Sequence, residues 1–164
     1  MTKNTLRLAL VAASAAALAG CLDSTAPDPG YACLVTSPPS ATIAGDTVRE
    51  PNGLKYINRQ VGDTTANGKI VQTGSSVDVC YVAFFPNGQV FDPGNQPINF
   101  TPSANQVIPG FAQGVVGMRA GSTRRIIVPP ALGYGNQDVK DRAGAVVIPA
   151  NSTLVFDVGV LRVR

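Results

Sequence analysis

Residues 46–164 predict an α+β domain in which short antiparallel strands form a sheet and one short helix packs on it. Two observations predict that class. Runs rich in Val, Ile, Tyr, Phe and Thr recur between Gly, Pro, Asn and Asp clusters, the pattern of short strands separated by turns. Against them stands a single segment with helical spacing, Phe111, Val115 and Met118 at i, i+4 and i+7. The strands are expected at Leu54 to Arg59, Val77 to Phe84, Gly88 to Phe91, Arg124 to Val128 and Thr153 to Val163. Asn87-Gly88, between the second and third, is a hairpin signal, because both central residues of such a turn tolerate positive φ. Gly114 and Gly117 make Phe111 to Met118 a poor helix by propensity, so packing has to hold it. One helix set against an antiparallel sheet is the α+β arrangement. Arg124-Arg125, a basic pair on an expected strand, reads as a solvated edge rather than a phosphate site.

The chain before residue 46 has a different character. Lys3 and Arg7 precede an apolar, Ala-rich run from Leu8 to Leu18, and Ala19-Gly20-Cys21 follows at once. A charged start, a short apolar run and small residues before a cut make residues 1–20 a secretory signal. The run is well short of the ~20 residues that span a bilayer. Leu18-Ala19-Gly20-Cys21 resembles a bacterial lipobox, in which the cysteine is acylated and the chain is cut before it. Lipidated Cys21 would anchor the protein to a membrane without spanning it. A plain signal peptide with an incidental cysteine is the alternative. Leu22 stands where an Asp would resemble the inner-membrane retention signal, so the outer membrane is favoured if the organism is Gram-negative. Residues 21–45 are rich in Ser, Thr, Pro, Ala and Gly and read as a tether, interrupted by one island at Tyr31-Ala32-Cys33-Leu34-Val35 that is expected to dock on the domain.

Charge and composition narrow the chemistry. Lys3 and Arg7 are two of the 13 basic residues and no acidic residue precedes Cys21, so residues 21–164 carry 11 basic and 10 acidic side chains, a balance of +1. That balance offers no electrostatic footprint for nucleic acid. The chain has no His, which removes the commonest general base and metal ligand. The cysteines lack metal-ligand spacing, and no cofactor motif is present: Gly133-Tyr134-Gly135 lacks the third glycine and the context of a dinucleotide site.

One ordered set of motifs remains. Gln106-Val107-Ile108-Pro109-Gly110-Phe111-Ala112-Gln113-Gly114-Val115 is followed by Gly121-Ser122-Thr123-Arg124-Arg125-Ile126-Ile127-Val128-Pro129-Pro130, by Leu132-Gly133-Tyr134-Gly135, and by Val147-Ile148-Pro149-Ala150-Asn151-Ser152-Thr153-Leu154-Val155-Phe156-Asp157-Val158. With Tyr81 and Phe91-Asp92 upstream, residues 46–164 resemble the FKBP-type peptidyl-prolyl cis-trans isomerases. The resemblance implies a strongly twisted antiparallel sheet wrapped around one short helix, and an apolar pocket that accepts a proline ring. It implies catalytic roles for Tyr81, Asp92, Ile108, Tyr134 and Phe156, and substrate-binding walls at Phe91, Phe100, Val107, Phe111 and Ile148. Phe111 would form the floor, where family members often carry Trp. Tyr134 would donate its hydroxyl, and Ile108 its backbone N–H, to ligand carbonyls. Asp92 would sit at the rim as an acceptor. On patterning alone Phe100, Val107 and Phe156 are equally well ordinary core residues, and Asp92 is a turn cap before Pro93-Gly94.

The partners so implied are X-Pro-containing polypeptides, macrolide inhibitors of the tacrolimus or rapamycin type, and a membrane through the N-terminal lipid. Neither a cofactor nor a metal is expected. The expected activity is isomerisation of X-Pro bonds in exported or cell-envelope proteins. The alternative is a catalytically weak binding module or chaperone for Pro-containing segments. Two departures from the family pattern bear on specificity. The loop after Asp92 is short, with Ile98 where an aromatic is common, and the Gly135 to Ile148 stretch is long and carries Asp138, Lys140, Asp141 and Arg142.

Cysteine placement adds one expectation. With Cys21 acylated, Cys33 and Cys80 remain in an exported chain, where oxidation is the default. Cys80 precedes Tyr81 on a strand, so its side chain points to the face opposite the pocket. A Cys33–Cys80 disulfide would staple the Tyr31 to Val35 island there. Free or intermolecular thiols are the other reading.

Overall fold

The computed structural model describes residues 46–62, 64, 68–103 and 105–164. The expected signal, Cys21, the tether and Cys33 lie outside them. Seven antiparallel strands make the main sheet: β1 (Thr47–Arg49), β2 (Lys55–Gln60), β3 (Val77–Phe84), β4 (Val90–Asp92), β5 (Ile98–Phe100), β6 (Thr123–Val128) and the long β9 (Leu154–Val163). Their order is β1-β2-β6-β9-β3-β4, with β5 also paired to β3. A second, two-stranded sheet, β7 (Val139–Lys140) with β8 (Val146–Ile148), occupies the long stretch before β9. The helix α1 runs from Pro109 to Val115. This is an α+β fold of an antiparallel sheet around one short helix.

Period-two alternation divides the main sheet into two faces. Cross-strand partners put Asn58, Arg124, Val158 and Tyr81 in one row, and Tyr56, Ile126, Phe156 and Ala83 in the next. These rows face α1 and the core, which also holds Val79, Val128, Leu154 and Val160. The intervening residues, Ile57, Arg125, Asp157 and Val82 in one row, face the other way.

The helix differs in its bounds from the expected Phe111 to Met118. Pro109 begins it, at the first helical position where its missing N–H removes no bond. Val116 leaves helical geometry at ψ 137°, and Gly117 has φ +81°. Gly110 and Gly114 set its depth. A Cβ at Gly110 would collide with the Val128 side chain, and one at Gly114 would lie 2.5 Å from Ile126 Cγ2. The helix backbone therefore rests directly on β6, which is the packing that its poor propensity demands.

The arginine pair corrects the sequence reading. Arg124 and Arg125 are not a solvated edge: β6 lies between β2 and β9, and the two side chains are 7% and 5% exposed. Being adjacent, they serve opposite faces. Arg125 grips Asp157, which is 2% exposed, through Nε to Oδ1 and Nη2 to Oδ2, both at 2.7 Å. Arg59 donates to the same carboxylate at 3.1 Å, and the Arg125 guanidinium lies 4.9 Å from the centre of the Phe84 ring. The ion pair thus forms part of the packing on the outer face. Cys80, 2% exposed, lies on that face too and is disulfide-bonded.

Asp157 is the residue whose loss this arrangement tolerates least. Asp157→Asn removes a buried charge between two guanidiniums and is expected to destabilise by about 3–5 kcal/mol. A urea titration checks it: the midpoint should fall with the slope unchanged.

Candidate functional site

The site is built where the inner face of the sheet meets the start of α1. Phe111 is 3% exposed and sits at the centre of an aromatic cluster. Its ring meets Phe156 at 5.1 Å and Tyr81 at 5.6 Å between centroids, both edge to face, and Phe100 at 5.5 Å. Phe91 meets Phe156 edge-on at 6.3 Å. Edge-to-face pairs satisfy the ring quadrupoles and hold each ring in one orientation. Tyr81, Phe91, Phe111 and Phe156, with Val107, Ile108, Ile98, Gln106, Asp92 and Tyr134, line a cavity of about 180 Å³.

Asp92 has both of the roles that sequence reasoning leaves as alternatives. One carboxylate oxygen accepts the Tyr81 hydroxyl at 2.6 Å, and the other accepts the Gly94 N–H at 2.9 Å. Gly94 has φ +55°, and a Cβ there would collide with the Tyr81 carbonyl oxygen. The turn cap therefore fixes the acceptor that orients the tyrosine. Burial, then the hydrogen bond and charge of Asp92, push the Tyr81 hydroxyl well above the ordinary tyrosine range. Burial raises Tyr134 as well, with Asp92 adding to it.

Two donors at the cavity are unspent. Among the described residues no acceptor takes the Tyr134 hydroxyl or the Ile108 N–H. Tyr134 is 43% exposed, and its loop is held by Gly135 N–H to the Pro130 carbonyl and Asn151 N–H to the Gly135 carbonyl. The Ile108 carbonyl already accepts the N–H groups of Phe111 and Ala112, so the residue is fixed while its N–H stays free. The arrangement offers an aromatic-walled recess with two neutral donors among its lining residues. Among the described residues no group of three or more His, Cys, Asp or Glu side chains is placed to hold a metal.

Eight of the residues expected from the sequence meet at this cavity: Tyr81, Phe91, Asp92, Val107, Ile108, Phe111, Tyr134 and Phe156. Phe100 and Ile148 do not line it. Both are buried in the core, Phe100 directly behind Phe111 and Ile148 on β8. Ile98 and Gln106 are lining residues that the sequence reading did not select. Ile98 had a signal, since it stands where the resembled family often has an aromatic. Gln106 had none: its side-chain oxygen accepts the Thr101 N–H at 2.9 Å, a contact that spacing does not announce.

Two larger clefts exist, of about 400 Å³ beside Phe85, Pro86 and Pro149 and about 340 Å³ beside Tyr56 and Gln113. Neither brings several aromatic rings together around free donors, so volume is a poor guide here.

Comparison with known proteins gives the family. Residues 68–161 match the model of the FKBP-type peptidyl-prolyl cis-trans isomerase family. FK506-binding protein 1A of Neurospora crassa is 35% identical over 121 residues, covering 72% of this chain and 94% of that protein. FK506-binding protein 4 of Mycosarcoma maydis is 38% identical over 120 residues, 72% of this chain but only 29% of its own length. The chain thus spans under a third of that larger relative. Among solved structures, AtFKBP13 is 28% identical with a TM-score of 0.63, covering 71% of this chain and 98% of that one. FkpA from Escherichia coli is 31% identical with a TM-score of 0.61, covering 76% and 54%. The aromatic cavity, the antiparallel sheet around one helix and the match over residues 68–161 together make this chain a member of the FKBP-type peptidyl-prolyl cis-trans isomerase family.

Proposed function

We propose that this protein isomerises X-Pro peptide bonds of exported or cell-envelope polypeptides and is held to a membrane by lipid on Cys21. The observation that carries the catalytic part is the recess walled by Tyr81, Phe91, Phe111 and Phe156 with the Tyr134 hydroxyl and Ile108 N–H left free beside it. Rotation about the amide faces a barrier of ~18–20 kcal/mol because resonance is lost on twisting. No covalent bond is made or broken, so the site needs no nucleophile. The planar amide draws support from water for its charge-separated form, and an apolar recess withdraws that support. The two neutral donors hold the flanking carbonyls while the bond turns. Selectivity for the twisted over the planar amide is what lowers the barrier.

The same recess fits a macrolide of the tacrolimus or rapamycin class, consistent with the FK506-binding names of the fungal relatives. The anchor rests on the Lys3 to Cys21 pattern, and no helix among the described residues is long and apolar enough to cross a membrane. The lipid and the disulfide support each other. Cys80 is disulfide-bonded and the chain has only Cys21 and Cys33 besides it. An acylated Cys21 leaves Cys33 as the partner.

Activity is tested on residues 46–164 with a proline-peptide assay, with and without macrolide. Acceleration that the macrolide abolishes is expected. Tyr134→Phe should lower kcat/KM by about 2- to 10-fold, since a neutral hydrogen bond contributes only ~0.5–1.5 kcal/mol. A folded wild-type domain that binds proline peptides without accelerating their isomerisation would leave a binding module in place of an enzyme.

The pH profile should be flat from about 6 to 9, because the chain lacks the one side chain whose ordinary titration falls there. Both pocket hydroxyls have raised folded-state values, so the stability they contribute is complete below the ordinary tyrosine value of 10.0 and declines above it. Thermal melts from pH 8 to 11 check this: Tyr81→Phe should flatten part of the alkaline loss, and an unchanged slope contradicts it.

Mass spectrometry of the mature protein tests the envelope part. An acylated Cys21 at the N-terminus and a Cys33–Cys80 peptide under non-reducing conditions are expected. An unmodified N-terminus ends the anchor, and a Cys80 linked to Cys21 ends both.

A further inference from the structure

Arg124 is a buried side chain, held by several hydrogen bonds, that the cavity itself does not use. Its Nη1 donates to the carbonyls of Gly114 and Val116, at 2.7 and 3.1 Å, at the C-terminal end of α1. Its Nε donates to Asn58 Oδ1 at 2.7 Å, and its guanidinium stacks 4.2 Å from the centre of the Tyr56 ring. Burial lowers its proton affinity, and Tyr56 opposes that shift. The carbonyls at a helix C-terminus lack intrahelical partners and carry partial negative charge, so a cation placed there binds them well.

The helix needs such a clamp more than most. It is seven residues long, with no side-chain hydrogen bond at its N-cap, no acidic residue in its first turn and no basic residue in its last. At Gly110 and Gly114 it meets β6 through backbone, which rests directly on the Val128 and Ile126 side chains. The residues at its other end are Ile108, which offers the free N–H, and Phe111, the centre of the aromatic cluster. A rigid element of two turns transmits a displacement at one end to the other.

We propose that Arg124 is a positioning residue for isomerisation: by clamping the end of α1 to β2 and β6 it fixes the Ile108 N–H and the Phe111 ring in the cavity. The proposal rests on the isomerase reading of that cavity, yet it makes a claim about α1 that holds apart from it. A purely stabilising arginine would, when removed, weaken the whole domain evenly. A positioning arginine leaves a folded domain whose cavity end of α1 is loose.

The variants are Arg124→Met and, since Met lacks a donor and risks the fold, Asn58→Ala, which keeps the guanidinium but removes its Nε acceptor. Val163→Ala, in the core at the end of β9, is the control for general destabilisation. Small displacements of catalytic groups cost up to about 100-fold, so Arg124→Met is expected to lose about 10- to 100-fold in kcat/KM, chiefly in kcat. Asn58→Ala should lose less. Low-millimolar guanidinium should restore activity to Arg124→Met and leave wild type unchanged. A cleft lined by Asn58, Gly117, Ser122 and Arg124 itself gives the ion a way in. Amide hydrogen exchange over residues 108–116 should accelerate beyond that of β9 in both variants, and in step with β9 in Val163→Ala. Folded variants with wild-type turnover, or variants whose lost turnover guanidinium does not restore and whose exchange is uniform, would overturn the proposal. An inactive wild type would refute the isomerase reading alone, and the exchange pattern would still decide the role of Arg124.

Discussion

The close approach of α1 to β6 is the constraint on which the rest of the molecule depends. A helix normally stands off a sheet by the depth of two layers of side chains. Here Gly110 and Gly114 remove one of those layers, so the backbone of α1 lies on Val128 and Ile126. At that depth the ring of Phe111, between the two glycines, reaches Tyr81, Phe100 and Phe156 at once. Tyr81 on β3 and Phe156 on β9 are walls of the cavity, and Phe100 backs it. An alanine at Gly114 would raise intrinsic helix propensity by about 1 kcal/mol and still fit badly, because overpacking costs ~1–3 kcal/mol. The helix is short and weak by itself because its place in the fold requires residues that make poor helices.

The second organising feature is alternation along β3, β6 and β9. Each strand gives one set of residues to the cavity face and the next set to the outer face, so neighbours in sequence do unrelated work. Phe156 walls the cavity while Asp157 anchors the ion pair behind it. Tyr81 enters the cavity while Cys80 takes part in a disulfide behind it. Arg124 clamps the helix while Arg125 serves the outer face. A buried ion pair is not in itself a strong source of stability, because desolvation offsets most of the attraction. Its value on the outer face is geometric: the bidentate grip of Arg125 on Asp157 ties β6 to β9 in one register, and that register puts Ile126 opposite Phe156.

Much of this was legible in the sequence, and the exceptions have physical reasons. The long strands carried their own period and turn signals, and eight of the cavity residues were among those that the family resemblance singled out. The strands missed, β1, β5 and the β7–β8 pair, are two or three residues long, too short to show a period. The helix was read from its apolar stripe, which begins at Phe111, whereas its start is set by Pro109, outside the stripe. The arginines were misread because their partners are remote: Asp157 is 32 positions from Arg125 and Asn58 is 66 from Arg124. A charged pair looks solvated when nothing near it in the chain neutralises it. Phe100 and Ile148 show the converse limit, for an apolar side chain behind the cavity and one within it have the same pattern in one dimension.

The two cavity tyrosines show how the site keeps polar groups in an apolar recess without losing them to the fold. A buried hydroxyl left unpaired costs about 1–3 kcal/mol, so each needs a partner or water. Tyr81 has Asp92, and that bond holds its ring as a wall; its hydroxyl is spent on structure. Tyr134 is nearly half exposed, so water can serve its hydroxyl until a carbonyl displaces it. In the proposed isomerisation the exchange of water for carbonyl would be close to neutral in energy, so the donor would follow a peptide through rotation without trapping either isomer. A donor buried and fully paired within the protein could not do this, and one fully in water would lose its direction. The partial exposure of Tyr134 therefore lets water reach its hydroxyl while the hydrogen bonds of its loop hold its direction.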